Sequence, residues 1–207
     1  MLKATTPVGR VLLDHVHAEG PQVSHIRGTL IASSLANLRE LDLFDAYSTL
    51  LPEAVRDQLL FAIASSWVPI EAALVHYQTC DQLQLSEEIM HRLGARTAER
   101  MSETFLSTIL RATRNMGVES LWLALEQHGR YWDRMYRGGR VCVLRAGPKD
   151  VVLENYGLPL VQSPFWCSAY LGYMRALGSL FAKVSHVRAV RPREANPNAI
   201  AVAGSWV

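Results

Sequence analysis

His128, Tyr131 and Trp132 fall within one helical turn of each other. An imidazole beside two large rings suits two kinds of chemistry, an axial ligand to a cofactor or a hydrogen-bond donor to a bound molecule. The plainer reading is a solvent-facing or satisfied core histidine. Trp122, Trp132, Trp166 and Tyr170 supply broad apolar walls with polar edges, which is what an enclosed ligand needs. With His128 they form the candidate ligand-binding set, against the alternative that they are ordinary core. Other groups carry less. His76 and Tyr77 near Cys80 resemble a metal pair only in spacing, and His15 and His17 alternate on a short extended stretch. Arg134, Arg137, Arg140 and Arg145 make a local basic cluster able to hold an anion or an acidic partner, with a solvated face as the alternative. Arg188, Arg191 and Arg193 repeat that pattern near the end.

Enzymatic signatures are missing. No Gly-x-Ser-x-Gly, phosphate-binding loop or dinucleotide fingerprint occurs. Glu87 and Glu88 are neighbours on a helix start, so their carboxylates diverge and cannot act as a facing pair. Gly138-Gly139 reads as a helix stop rather than a phosphate cradle, because a strand follows it. The 3 cysteines, Cys80, Cys142 and Cys167, are far apart and contain no Cys-x-x-Cys pair, so neither zinc nor a disulfide framework is expected.

These residues must be held by something. The chain has 207 residues, 49% hydrophobic and 19% charged, enough for one domain with a buried core. Its formal net charge of +2 gives no strong field for nucleic acid. No signal peptide is evident at the start, and a cytoplasmic protein is expected. Residues 165–182 approach the length of a membrane span, but Arg175 sits mid-stretch and Trp166, Tyr170, Tyr173, Leu177 and Leu180 form a stripe. A buried amphipathic helix is expected, with a peripheral membrane helix as the alternative.

Val8 to Val16 reads as a strand or a short helix. From Ile26 helical periods dominate: Leu30, Ile31, Ser34, Leu35, Leu38 and Leu41, then Val55 to Ile63 after Pro52, then Ile70 to Tyr77 after Pro69. Ser86-Glu87-Glu88 starts a helix carrying Ile89, Leu93, Met101, Phe105 and Ile109 to about Arg114, with Gly94 a weak point and Gly117 a break. Glu119 to Met135 is the next helix. The period then changes: residues 140–145 and 151–156 are strands around a Gly147-Pro148 turn. Ser163-Pro164 opens the apolar helix, whose Gly172, Ala176 and Gly178 would allow close approach to a sheet. Val184 to Val190 and Ala199 to Val207 are the last strands, and Trp206 continues the Ile200–Val202 face and should be buried. The expected fold is α+β. An N-terminal helical layer packs on a four-stranded antiparallel sheet, in the order strand–strand–helix–strand–strand. Residues 1–25 are an N-terminal extension to a single domain, 26–207.

The segment Tyr131-Trp132-Asp133-Arg134-Met135-Tyr136-Arg137-Gly138-Gly139, its hairpin, and the glycine-bearing helix after Pro164 resemble the 4-vinyl reductase-type domains and a family of uncharacterised paralogues abundant in myxobacteria. Ile26-Arg27-Gly28-Thr29-Leu30 and Trp206 fit the same pattern, so the resemblance spans about 26–207. It implies the fold shared by haem–nitric-oxide sensor domains, phenol-sensing domains of bacterial activators and vesicle-tethering subunits. It also implies a non-catalytic regulatory or sensory role in which a small apolar ligand or a partner protein is bound. A protein–protein adaptor without a small ligand, as in the tethering subunits, is the alternative. The phenol-sensing relatives hold zinc with cysteines in and before the final hairpin, whereas this chain keeps only Cys167 there. The haem sensors' Tyr-x-Ser-x-Arg motif is absent. No zinc, haem or other cofactor is therefore expected. Relatives of the fold pair through helices, and the stripes at Leu30–Leu41 and Val55–Ile63 predict a helical homodimer.

Overall fold

The computed structural model describes residues 9–104 and 119–207. Its framework is an antiparallel sheet of five strands, with β1 (Arg10–Val16), β5 (Arg140–Gly147), β6 (Asp150–Tyr156), β8 (Ala199–Trp206) and β7 (Ser185–Val190) side by side in that order. Four of these are the expected strands. The fifth is β1, which joins the β5 edge with Leu13 opposite Val143 and His15 opposite Val141. The sheet therefore has five strands, not four. Alternation of Leu13 and His15 with Asp14 and Val16 gives β1 the period of a half-buried strand rather than a helix. A second, three-stranded sheet joins β2 (His25–Arg27), β3 (Trp67–Pro69) and β4 (Tyr136–Arg137).

The helices follow the apolar periods. In α1 (Gly28–Glu40), Ile31, Leu35 and Leu38 are buried, and each contributes about 1.5–3 kcal/mol of transfer free energy. Asp42 takes a positive φ of 57°, separating α1 from α2 (Phe44–Leu50). Pro52 precedes α3 (Glu53–Leu60), and Pro69 precedes α4 (Ile70–Asp81). Helix α5 is described over Glu87–Thr104; the rest of the expected stripe, with Phe105, Ile109, Arg114 and Gly117, lies outside the described residues. The next expected helix is two, α6 (Glu119–Glu126) and α7 (His128–Met135), separated at Gln127. Ser163 caps α8 (Pro164–Ser179) by accepting the Trp166 N–H at 3.1 Å.

Helix α8 crosses the sheet against β7 and β8, as expected, but its longest contact is with α5. Two glycines make that crossing possible. A Cβ on Gly94 would stand 1.8 Å from the Ala169 carbonyl oxygen, and one on Gly172 would stand 2.0 Å from that of His91. Gly172 thus admits a helix rather than the sheet, and Gly94, expected to weaken α5, is the point where α5 meets α8. Gly178 does approach the sheet, at Ser185. Gly138 and Gly139 do not stop a helix. Both take φ 85° and turn the chain from β4 in the small sheet to β5 in the large one.

The two faces of the large sheet are covered differently. Val143, Leu153 and Val202 face the helices, while Cys142, Glu154 and Ala201 form a row on the other face. No helix of the described residues is long and apolar enough to cross a membrane. Phe165, Trp166 and Tyr173 are buried inside the domain.

Candidate functional site

Helices α6, α7 and α8 do not close fully on the sheet. A cavity of about 120 Å³ remains, bordered by Leu125, Leu153, Met174, Val187, Val202 and Trp206. Beyond it, between α1, α5, α7 and α8, lies a second cavity of about 80 Å³, walled by Trp132, Tyr136, Phe165, Trp166 and Tyr170. His128 and Tyr131 border both cavities and stand at their junction.

His128 opens α7, with Gln127 at its N-cap position. Burial, and then the nearby charge of His15, pushes its pKa down to about 4. At neutral pH it is an uncharged imidazole, compatible with an apolar guest. Among the described residues no hydrogen bond engages its ring. Tyr131 lies one turn on and shares a short hydrogen bond with the Tyr173 hydroxyl of α8. Burial raises the pKa of both phenols, so both stay protonated.

Besides His128, each cavity has one fully buried side-chain polar atom without a partner. Trp206 is 6% exposed, as its place on the Ile200–Val202 face requires, yet its buried indole N–H has no acceptor. Asn37, on the smaller cavity, is 2% exposed and its side-chain oxygen has no donor. Buried polar groups are almost always paired, so both are exceptions that ask for a cause.

Four of the five sequence-predicted site residues border a cavity: His128, Trp132, Trp166 and Tyr170. Trp166 and Tyr170 are stacked at 5.0 Å between ring centres. Trp122 is outside. It packs edge-on against Trp206 at 4.9 Å, carries Arg145 over its ring at 4.7 Å, and donates to the Pro148 carbonyl at 3.2 Å. Sequence reasoning missed Asn37 and Tyr173 as cavity residues and Ser34 as more than part of a stripe. Two polar side chains one turn apart on an otherwise apolar face were the available signal.

The other expected groups are occupied elsewhere. His76 is fully buried between the Tyr47 hydroxyl, 2.6 Å from Nδ1, and the Ser34 hydroxyl, 2.9 Å from Nε2; burial pushes its pKa down to about 3. His15 and His17 approach Asp133 of α7 at 2.7 and 3.8 Å, tying β1 to that helix. The arginines do not form one anion site. Arg137 lies over Trp67, Arg140 holds Asp14 and Glu194, and Arg193 is bound to Glu154. Among the described residues no group of three or more His, Cys, Asp or Glu side chains is placed to hold a metal ion.

No protein-family model matches the chain. No curated protein matches it in sequence. Solved structures do match in fold. An H-NOX protein used to probe haem distortion superposes with a TM-score of 0.59 at 13% identity, covering 87% of this chain and 95% of that one. An unliganded Fe(II) H-NOX protein from K. algicida gives 0.56 at 9% identity, over 88% and 97%. An oxygen-binding H-NOX domain related to soluble guanylate cyclases gives 0.51 at 14%, over 87% and 95%.

The described residues do not fit a haem in this conformation. Cavities of about 120 and 80 Å³, parted by His128 and Tyr131, are each well below the roughly 300 Å³ at which sites for larger organic ligands begin. No Arg or Lys among the described residues borders either one to pair with haem carboxylates. The architecture of this chain is the mixed α+β fold of the haem–nitric-oxide sensor domains.

Proposed function

We propose that this chain is a sensory domain that binds a small apolar molecule between α6–α8 and the sheet. The observation that carries this reading is the 120 Å³ cavity, apolar in its walls and left with the unmet Trp206 N–H. A guest there would recover the lost contacts and offer an acceptor to the indole. Binding would favour one packing of α7 and α8 on the sheet, and that shift is the signal. The fold shared with an oxygen-binding H-NOX domain supports a sensory role.

Alongside it we propose a non-catalytic, cytoplasmic domain. The Ser34–His76–Tyr47 chain has the outline of a hydrolytic relay, but an imidazole held near 3 is too weak a base to activate serine at neutral pH. Within the fold, we read the Tyr131–Gly139 segment as a likeness to the 4-vinyl reductase-type domains and their myxobacterial paralogues. We further propose a homodimer. The Leu30–Leu41 stripe is used internally, leaving Phe61 and Ile63, 77% and 68% exposed after α3, as the apolar surface for a second copy. Light scattering giving the mass of two chains, lost in Phe61→Ser, supports it; a single-chain mass at micromolar concentration rejects it.

The ligand reading is tested by native mass spectrometry of protein from its own host, with toluene as a reference probe on the emptied protein. A retained small molecule, or toluene shifting the Trp206 indole N–H resonance and raising Tm, is the expected result. No retained mass together with no response to toluene overturns it.

A further inference from the structure

Resting on the reading above, we infer that the smaller cavity is a site for a small hydroxyl-bearing molecule. Its apolar body lies against the aromatic wall, its O–H is donated to Asn37 Oδ1, and its oxygen accepts from Ser34.

Asn37 fixes the first half. Its Nδ2 donates to the Leu93 carbonyl at 3.0 Å and to Thr97 Oγ1 at 3.0 Å. Leu93's oxygen can only accept. Thr97 spends its own hydroxyl proton on that same carbonyl at 3.1 Å, so it too must accept from Asn37. Both amide protons are therefore committed and the amide cannot be flipped. The oxygen is what Asn37 has left to offer, and it is buried without a donor. A guest that donates one hydrogen bond removes the penalty of that orphan acceptor.

Ser34 fixes the second half. It lies three residues before Asn37 on α1, so the two side chains are neighbours on one helix face, and both border the cavity. Its hydroxyl meets His76 Nε2, and His76 Nδ1 meets Tyr47. A neutral imidazole donates from one nitrogen and accepts at the other, so this chain has two arrangements. In one, Ser34 donates to His76 and His76 donates to Tyr47. In the other, Tyr47 donates to His76, His76 donates to Ser34, and the Ser34 proton is free to point at a guest. A ligand oxygen selects the second and moves the imidazole proton to Nε2. Tyr47 on α2 would thus register occupancy with no charge moved.

An acceptor and a donor one turn apart match a hydroxyl, which is both. A ketone offers only an acceptor, and a hydrocarbon offers neither. At about 80 Å³ the cavity is smaller than its neighbour of about 120 Å³, so a guest of few heavy atoms fits.

The test titrates the whole chain with cyclobutanol and with cyclobutanone, followed by NMR with ¹⁵N-labelled histidine. Cyclobutanol should bind about tenfold tighter, the size of one net hydrogen bond. His76 should move to the Nε2–H tautomer with either probe, and Asn37→Leu should remove the preference for the alcohol. If Asn37→Leu does not fold, the wild-type ratio and the His76 signal decide alone. Equal affinity for alcohol and ketone, or no His76 response, overturns the inference. Exclusion of both probes while toluene still occupies the larger cavity overturns it and leaves the ligand reading standing. Exclusion of toluene as well removes both.

Discussion

The two faces of the five-stranded sheet are built from the same strands and finished in opposite ways. On the far face, Glu154 is 0% exposed, and its carboxylate accepts the Arg193 backbone N–H at 2.8 Å, the Arg193 guanidinium at 2.9 Å and the Tyr156 hydroxyl at 3.0 Å. Arg193 also donates to Cys142 Sγ at 3.0 Å, and Arg140 joins Asp14 to Glu194. Every named group there has a partner. On the helical face the strands present Leu153, Val187, Val202 and Trp206 to space that α6–α8 leave open, with an indole N–H unmet. The far face is complete in its buried polar pairing, with an open groove past Val152, Arg188 and Ala203, and the helical face is not. On the proposed reading the incomplete face is where a ligand would act, because occupancy there changes the packing energy.

The largest expected effect comes from the indole that spans both roles. Trp206→Ala should cost about 3–5 kcal/mol in chemical denaturation, since a buried ring is removed beside an existing void. A cost under about 1 kcal/mol would mean that the helical layer does not rest on it. Arg193→Ala attacks the complete face. It leaves a buried carboxylate short of its cation and should cost about 3 kcal/mol, with no change in toluene binding. Loss of toluene binding in that variant would show that the two faces are not separable.

Acid should weaken the helical side next. The folded His76 value of about 3 lies below the ordinary 6.5, so the unfolded chain takes the proton first as pH falls. The stabilisation is complete above about pH 6.5 and is lost progressively down to about 3. At pH 5 this amounts to about 2 kcal/mol, and the loss between pH 7 and 5 should shrink by that amount in His76→Gln. An unchanged pH slope would contradict the buried neutral imidazole. The smallest effect is a contrast of two enlargements. Val187→Phe fills the open cavity and should cost under about 1 kcal/mol while abolishing toluene binding. Ala201→Leu overpacks the complete face and should cost at least about 1 kcal/mol more. Equal costs would erase the distinction between the faces.

Much of this was legible in the sequence, for reasons that can be named. The hairpin, the Ser163-Pro164 start and the alternation ending at Trp206 are local patterns, and each formed the expected element. His128, Trp132, Trp166 and Tyr170 were readable as a set because large rings in amphipathic helices face inward. What was not legible depended on long-range pairing. The pairing of β1 with β5 brings His15 to Asp133 across 118 residues, and no local period encodes that. Trp122 has the same composition signal as Trp132 but sits beside Trp206 rather than on a cavity. Gly94 and Gly172 read separately as a weakness and a sheet contact, and only the α5–α8 crossing shows their joint role. The arginines near 134–145 look like one cluster in sequence, yet strand alternation sends them to different partners.

The most direct test of the central claim is a crystal structure of the protein under xenon pressure. Xenon enters dry apolar cavities without needing hydrogen bonds, so it reports the space itself. The account predicts xenon bounded by Leu125, Leu153, Val202 and Trp206 and none on the far face of the sheet. A structure in which those side chains close on one another and exclude xenon would contradict it.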